Sequence, residues 1–131
     1  MKAVLDHVGI AVQNLEAALV FYRDALGLEV HGTEEVMSQR VRAHFIPVGE
    51  SSLELLEPTA PESTIQKFVD KRGPGIHHIC FAVPDLDAVL DRCRAAGLRL
   101  IDDQPRIGAE GRRIAFLHPS STAGILIELS E

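Results

Sequence analysis

The chain writes one pattern twice. Near its start it reads Asp6-His7-Val8-Gly9-Ile10-Ala11-Val12, and further on His77-His78-Ile79-Cys80-Phe81-Ala82-Val83. In each copy a histidine is followed four and five residues later by Ala-Val, and then by a capped helix of matching apolar spacing: Leu15, Ala18, Leu19 in one, Leu86, Val89, Leu90 in the other. A second feature recurs after each helix, Leu53-Glu54-Leu55 and Ile127-Glu128-Leu129, a carboxylate between two branched aliphatics. A chain carrying its histidine and its glutamate in duplicate is built from two copies of one module, and that restricts the folds open to it.

Strand parity selects the histidines. Over residues 4–12, Val4, Val8, Ile10 and Val12 fall on one face, and His7, Gly9 and Ala11 on the other. Over 76–83, Ile79, Phe81 and Val83 share a face while His78, Cys80 and Ala82 share the other, so the partner of His7 is His78, and His77 turns to the apolar side. Asn14 caps a helix predicted to run through Leu26 and stop at Gly27. Strands are predicted at 28–33, 40–48 and 52–57, then a connector with a Ser63/Gln66 capping box opening a short helix. The second copy follows with Asp85 as cap, a helix to Gly97, and strands at 98–101, 113–117 and 124–129.

The expected fold is α+β: two paired β-α-β-β-β modules forming a cupped, largely antiparallel eight-stranded sheet with helices on the convex face. Module one spans 1–57, the connector 58–75 and module two 76–131, and at 131 residues they fit a single domain. The formal net charge of −6 argues against nucleic acid or an anionic membrane as partner, although Arg99, Arg106, Arg112 and Arg113 are close enough to hold a small anion. No window approaches the roughly 20 apolar residues of a spanning helix. With Asp6 and His7 interrupting the first apolar run, a cytoplasmic location is expected. Cys80 and Cys93 lack the spacing of a disulfide framework or a zinc ribbon and are expected to be reduced core residues.

By alternation Glu54 and Glu128 point away from the apolar face. Related by a pseudo-two-fold axis, His7, Glu54, His78 and Glu128 can converge, and two imidazoles with two carboxylates suit a divalent ion such as cobalt, manganese, iron or zinc. His31 and His44 are expected on strand surfaces and His118 in a loop before Pro119.

These residues resemble a known family. The paired modules and the His, Glu, His, Glu placement look like the vicinal oxygen chelate superfamily. Within it, Leu5-Asp6-His7-Val8-Gly9-Ile10-Ala11-Val12, Leu53-Glu54-Leu55-Leu56-Glu57-Pro58, Ile107-Gly108-Ala109 and Phe116-Leu117-His118-Pro119, with Gly124-Ile125-Leu126-Ile127-Glu128-Leu129, are similar to the methylmalonyl-CoA epimerase family. The resemblance covers essentially the whole chain.

It implies His7, Glu54, His78 and Glu128 as metal ligands, with cobalt or manganese first and zinc, iron, nickel or magnesium as alternatives. It implies an acyl-CoA substrate, a homodimer, and epimerisation through a metal-chelated enolate with Glu128 as one acid/base. The opposite-face group is open, because Ala43 stands where some of these epimerases carry a glutamate; His44 falls on the wrong face, and a metal-held water or Glu35 brought in by a loop remain. Gln39, Ser120, Ser121 and Arg113 are the candidate substrate contacts, Ser120 replacing a lysine common in the family. The alternatives are a glyoxalase-like metal-dependent lyase or isomerase on another chelating substrate, and a metal-free small-molecule sequestering module.

Overall fold

Alternating apolar residues in short strands, each module opened by a strand that feeds a capped helix, produce the same pairing plan twice. The computed structural model describes residues 2–131. It resolves into two compact units, residues 7–77 and a second unit of 78–131 with the residues up to Asp6. The boundaries fall inside the two histidine-bearing strands, β1 (Val4–Ala11) and β5 (Gly75–Ala82), immediately before His7 and His78.

In the unit 7–77 the strand order is β2-β3-β4-β1, with β2 at Gly32–Val36, β3 at Val41–Val48 and β4 at Ser51–Pro58. β2 with β3 and β3 with β4 are antiparallel, and β4 runs parallel to β1. One sheet face carries Ile10, Ile46, Leu53 and Leu55, packed with Leu15, Leu19 and Tyr22 of the first helix. The opposite face carries Ala11, Val41, Ala43 and Leu56, covered by Ile65 and Val69 of α2 (Thr64–Arg72). The connector helix thus packs on the face that His7 and Glu54 share, opposite the first helix.

The second unit repeats the plan as β5-β8-β7-β6, with β6 at Arg106–Ile107, β7 at Arg113–Leu117 and β8 at Ile127–Ser130. β5 with β8 is parallel, and β8 with β7 and β7 with β6 are antiparallel. Helix α3 (Leu86–Ala95) buries Leu86, Leu90 and Cys93 against Val83, Ala115, Leu117 and Leu129. Full burial of Leu86 and Leu90 contributes about 1.5–3 kcal/mol each. Burial also raises the pKa of the Cys93 thiol. Cys80 and Cys93 are both buried and form no disulfide.

Both expected caps form: Asn14 accepts from the Ala17 amide at 3.1 Å and Asp85 from the Ala88 amide at 3.1 Å. Several expectations are corrected. The first helix is α-helical only over Leu15–Leu19 (α1) and widens into a π-helical stretch over Val20–Ala25, so its ladder changes partners before Gly27 ends it. The strand expected at 28–33 lies at Gly32–Val36, because Glu34 and Glu35 are tolerated on an edge strand that exposes alternate residues. Half of the capping box exists: Ser63 accepts from the Ile65 amide, while Gln66 donates instead to Asp70 one turn on, at 2.8 Å. Residues 98–101 form only an isolated bridge, Leu100 to Leu117.

The cause of this last failure is Asp102. Its carboxylate takes the Phe116 amide at 2.8 Å, while the Ile101 amide turns to the Phe116 carbonyl at 2.9 Å, so the local pairing is finished by a side chain. The edge of the sheet is the two-residue β6, joined to β7 through a turn at Gly108, where any side chain would meet Ile114 at 2.5 Å. Among the described residues no helix is long and apolar enough to cross a membrane.

Candidate metal centre

In each unit the parallel pairing of first and last strand brings histidine and glutamate together. In the first, the register sets His7 beside Ser52 and Gly9 beside Glu54. The His7 Nδ1 and Glu54 Oε2 atoms are 2.8 Å apart. In the second, Cys80 lies beside Glu128, and His78 Nε2 meets Glu128 Oε1 at 3.0 Å. Each pair lies within its own unit.

All four side chains are buried, at 6% exposure for His7, 8% for Glu54, 5% for His78 and 8% for Glu128. Burying a carboxylate is costly without a partner of opposite charge or a metal. The sequence rule that apolar residues go inside is inverted on this strand: Val4 is 49% exposed while His7 is buried. Each pair offers one imidazole nitrogen and one carboxylate oxygen, a donor set that borderline divalent ions accept and that fits neither a thiolate-selective nor an all-oxygen ion.

In the second unit Phe116 lies on the His78 and Glu128 face. It is the cross-strand partner of Glu128 and stands edge-on to the His78 ring, centroids 5.9 Å apart. The Arg106 guanidinium lies over the Phe116 ring at 5.4 Å and is bound through Nε to Asp102 Oδ1 at 3.0 Å. From the sequence, Arg106 is one of several basic residues, with Arg112 and Arg113, that could meet CoA phosphates, Phe116 is only part of a family motif, and Asp102 carries no assigned role. The available signal was a carboxylate directly following the apolar run 98–101.

The candidate substrate contacts are scattered. Arg113 is on the opposite face of β7, where it binds Asp87 at 3.0 Å and Glu131 at 2.5 Å, and does not join His78 and Glu128. Gln39 is half-buried in the turn before β3, its carbonyl accepting from the Ser63 hydroxyl at 3.3 Å. Ser120 and Ser121 lie in the turn after β7. The Ser120 amide donates to His118 Nδ1 at 3.0 Å, and the Ser121 hydroxyl accepts from the Arg99 amide at 2.9 Å. Partial burial opposes the charge on Arg112, but the Asp6 carboxylate at 2.9 Å more than offsets it and raises that pKa.

His44, expected on a strand surface, is buried between Thr33 and Glu57, at 3.0 and 3.3 Å. Its face is the one opposite His7, as parity requires. Glu35 is on that same far face, 3.7 Å from Arg42, and so is not delivered by a loop toward Glu54. Strand β2 instead turns Glu34 to the near face, directly across from Ala43. His77, half-buried, stacks edge-on against Phe68 at 5.0 Å.

Residues 6–116 match the profile of the Glyoxalase/Bleomycin resistance protein/Dioxygenase superfamily. The chain is 42% identical to the ethylmalonyl-CoA/methylmalonyl-CoA epimerase of Cereibacter sphaeroides, covering 97% of this chain and 96% of that protein. A crystal structure of a hypothetical protein from Bacillus halodurans superposes with a TM-score of 0.96 at 44% identity, covering 100% of this chain and 95% of the other. A Streptomyces coelicolor methylmalonyl-CoA epimerase variant in complex with 2-nitronate-propionyl-CoA gives 0.90 at 42% identity, over 97% and 92%.

Proposed function

The chain belongs to the methylmalonyl-CoA epimerase family of the glyoxalase/bleomycin resistance protein/dioxygenase superfamily, and from that premise we propose that it interconverts the two epimers of methylmalonyl-CoA. The observation that carries this reading is the duplicated, buried His–Glu pair: His7 with Glu54 and His78 with Glu128. Neither pair alone offers enough donors for a catalytic ion, but two nitrogens and two oxygens do, with positions left over for a bidentate ligand. In this reading His7, Glu54, His78 and Glu128 would together hold one divalent ion, cobalt or manganese in first place. When bound, such an ion supplies Lewis-acid stabilisation of the negative charge that develops on the thioester oxygen.

The chain's own residues supply the rest. Glu128, buried beside His78, takes the proton from the carbon between thioester and carboxylate or returns it there; its burial keeps bulk water from competing for the carbanion. Inversion requires a second group on the opposite side of that carbon, and Ala43 cannot serve. Glu34, facing across β2–β3 on the side shared with Glu54, takes that role in this reading. The buried apolar residues Leu56, Ile65 and Val69 pack on the same face of the sheet. The protein works as a cytoplasmic homodimer.

Stripping the protein with a chelator and restoring cobalt or manganese tests the assignment. The reading expects one ion per chain, epimerisation of methylmalonyl-CoA lost on stripping and regained on reconstitution, and loss of the ion from both the His7→Ala and the His78→Ala variant. Binding of two ions per chain, or full activity in the stripped protein, would refute it.

A further inference from the structure

The group formed by Asp102, Arg106 and Phe116 has no part in the chemistry above, yet it is built with more care than a surface ion pair requires. Asp102 uses both carboxylate oxygens: Oδ2 takes the Phe116 amide at 2.8 Å, and Oδ1 takes Arg106 Nε at 3.0 Å. One side chain therefore fixes the backbone under the ring and the cation above it. The guanidinium rests on Phe116 at 5.4 Å, and Phe116 stands edge-on to His78 at 5.9 Å. The register settles the face: Arg106 pairs with Ile114, Phe116 with Glu128, and alternation turns all of them to the side that bears His78.

Arg106 and the two arginines near it differ. Arg113 spends its charge on Asp87 and Glu131 on the other face, and Arg112 spends its own on Asp6. The Arg106 side chain is 41% exposed while its anchor Asp102 is only 16% exposed, so the pair presents the cation outward and keeps the carboxylate behind it. Arg106 binds Asp102 through Nε, so the terminal nitrogens of the fork keep N–H donors beyond that bond. A guanidinium held over a ring and anchored by a carboxylate is preorganised for a planar or tetrahedral oxyanion.

Resting on the epimerase reading, we infer that Arg106, positioned by Asp102 and Phe116, is an anion-recognition residue for the acyl-CoA substrate. The oxyanion it takes is either the free carboxylate of the acyl group or a phosphate of the CoA moiety. Its contribution is to binding, since it lies behind Phe116 with respect to His78.

The test is steady-state kinetics of the metal-loaded enzyme, wild type against Arg106→Met and Arg106→Lys, with methylmalonyl-CoA and with the pantetheine thioester that lacks the nucleotide phosphates. Methionine keeps an apolar stem on Phe116 while removing the charge. The expected result for Arg106→Met is a KM raised roughly tenfold or more, with kcat within about twofold, and a smaller rise for Arg106→Lys, which keeps the charge but loses the fork. A defect that persists with the truncated thioester assigns the carboxylate, and one confined to the full CoA substrate assigns a phosphate. Arg106→Met with unchanged KM for both substrates, in an active enzyme, overturns the inference alone. An inactive wild-type holoenzyme overturns the epimerase reading and this inference with it. If Arg106→Met fails to fold by circular dichroism, Arg106→Lys decides: an unchanged KM there overturns the role of the fork.

Discussion

In the proposed mechanism Glu128 and Glu34 carry the proton chemistry, and they make different predictions. Replacing Glu128 by Gln keeps the size and hydrogen-bonding capacity of the side chain near His78 and removes its basicity. Epimerisation is expected to fall by about 10²–10⁴-fold, the range of one general acid/base, with the melting temperature little changed. Replacing Glu34 by Gln is expected to abolish interconversion while leaving proton exchange on the epimer whose hydrogen faces Glu128. Stereospecific exchange followed by NMR separates the two; equal exchange on both epimers in the Glu34 variant would remove Glu34 from the mechanism. Recurrence singled out His7, Glu54, His78 and Glu128, and parity gave them a face, because a strand has only two faces and one was visibly apolar. Glu34 was not legible that way: the strand bearing it was expected four residues early, at 28–33, and a shift of boundary leaves its residues without a face.

At the scale of the element, the caps were readable and the helix interiors were not. Asn14 and Asp85 have one favourable use before an apolar run, and both accept the amide three residues on. Nothing in the spacing of Leu15, Ala18 and Leu19 announced the π-helical stretch at Val20–Ala25, since one extra residue in a turn leaves the local apolar pattern intact. With only five α-helical residues behind it, α1 depends on its cap: Asn14→Ala is expected to cost about 1 kcal/mol, lowering the melting temperature by about 2–5 °C. Calorimetry of the variant checks it, and an unchanged transition would mean that packing of Leu15 and Leu19 on the sheet holds the helix without the cap. The strand expected at 98–101 fails for the opposite reason. Its apolar residues are real, and Leu100 packs in the core of the second unit, but Asp102 captures the amide that the ladder needed. Sequence periodicity cannot show a side chain standing in for a strand, and at this place it marks Arg106.

At the scale of the molecule, the duplication was the most legible property of all. Both units show parallel pairing of first and last strand, and both put a buried His beside a buried Glu. The repetition is of topology more than of residues: Gly9 faces Glu54 in one unit, and Cys80 faces Glu128 in the other. The connector was less legible, since its helix packs over Ala43 and Leu56 on the site face, opposite the first helix. The central claim is that the proton between a thioester and a carboxylate is removed and restored at the site that this doubled pair builds. The most direct measurement is deuterium incorporation at that carbon when methylmalonyl-CoA is incubated with the protein in heavy water, with and without cobalt or manganese. The account predicts incorporation together with racemisation, dependent on the ion and lost in Glu128→Gln. A metal-loaded protein that leaves the central C–H unexchanged would contradict it.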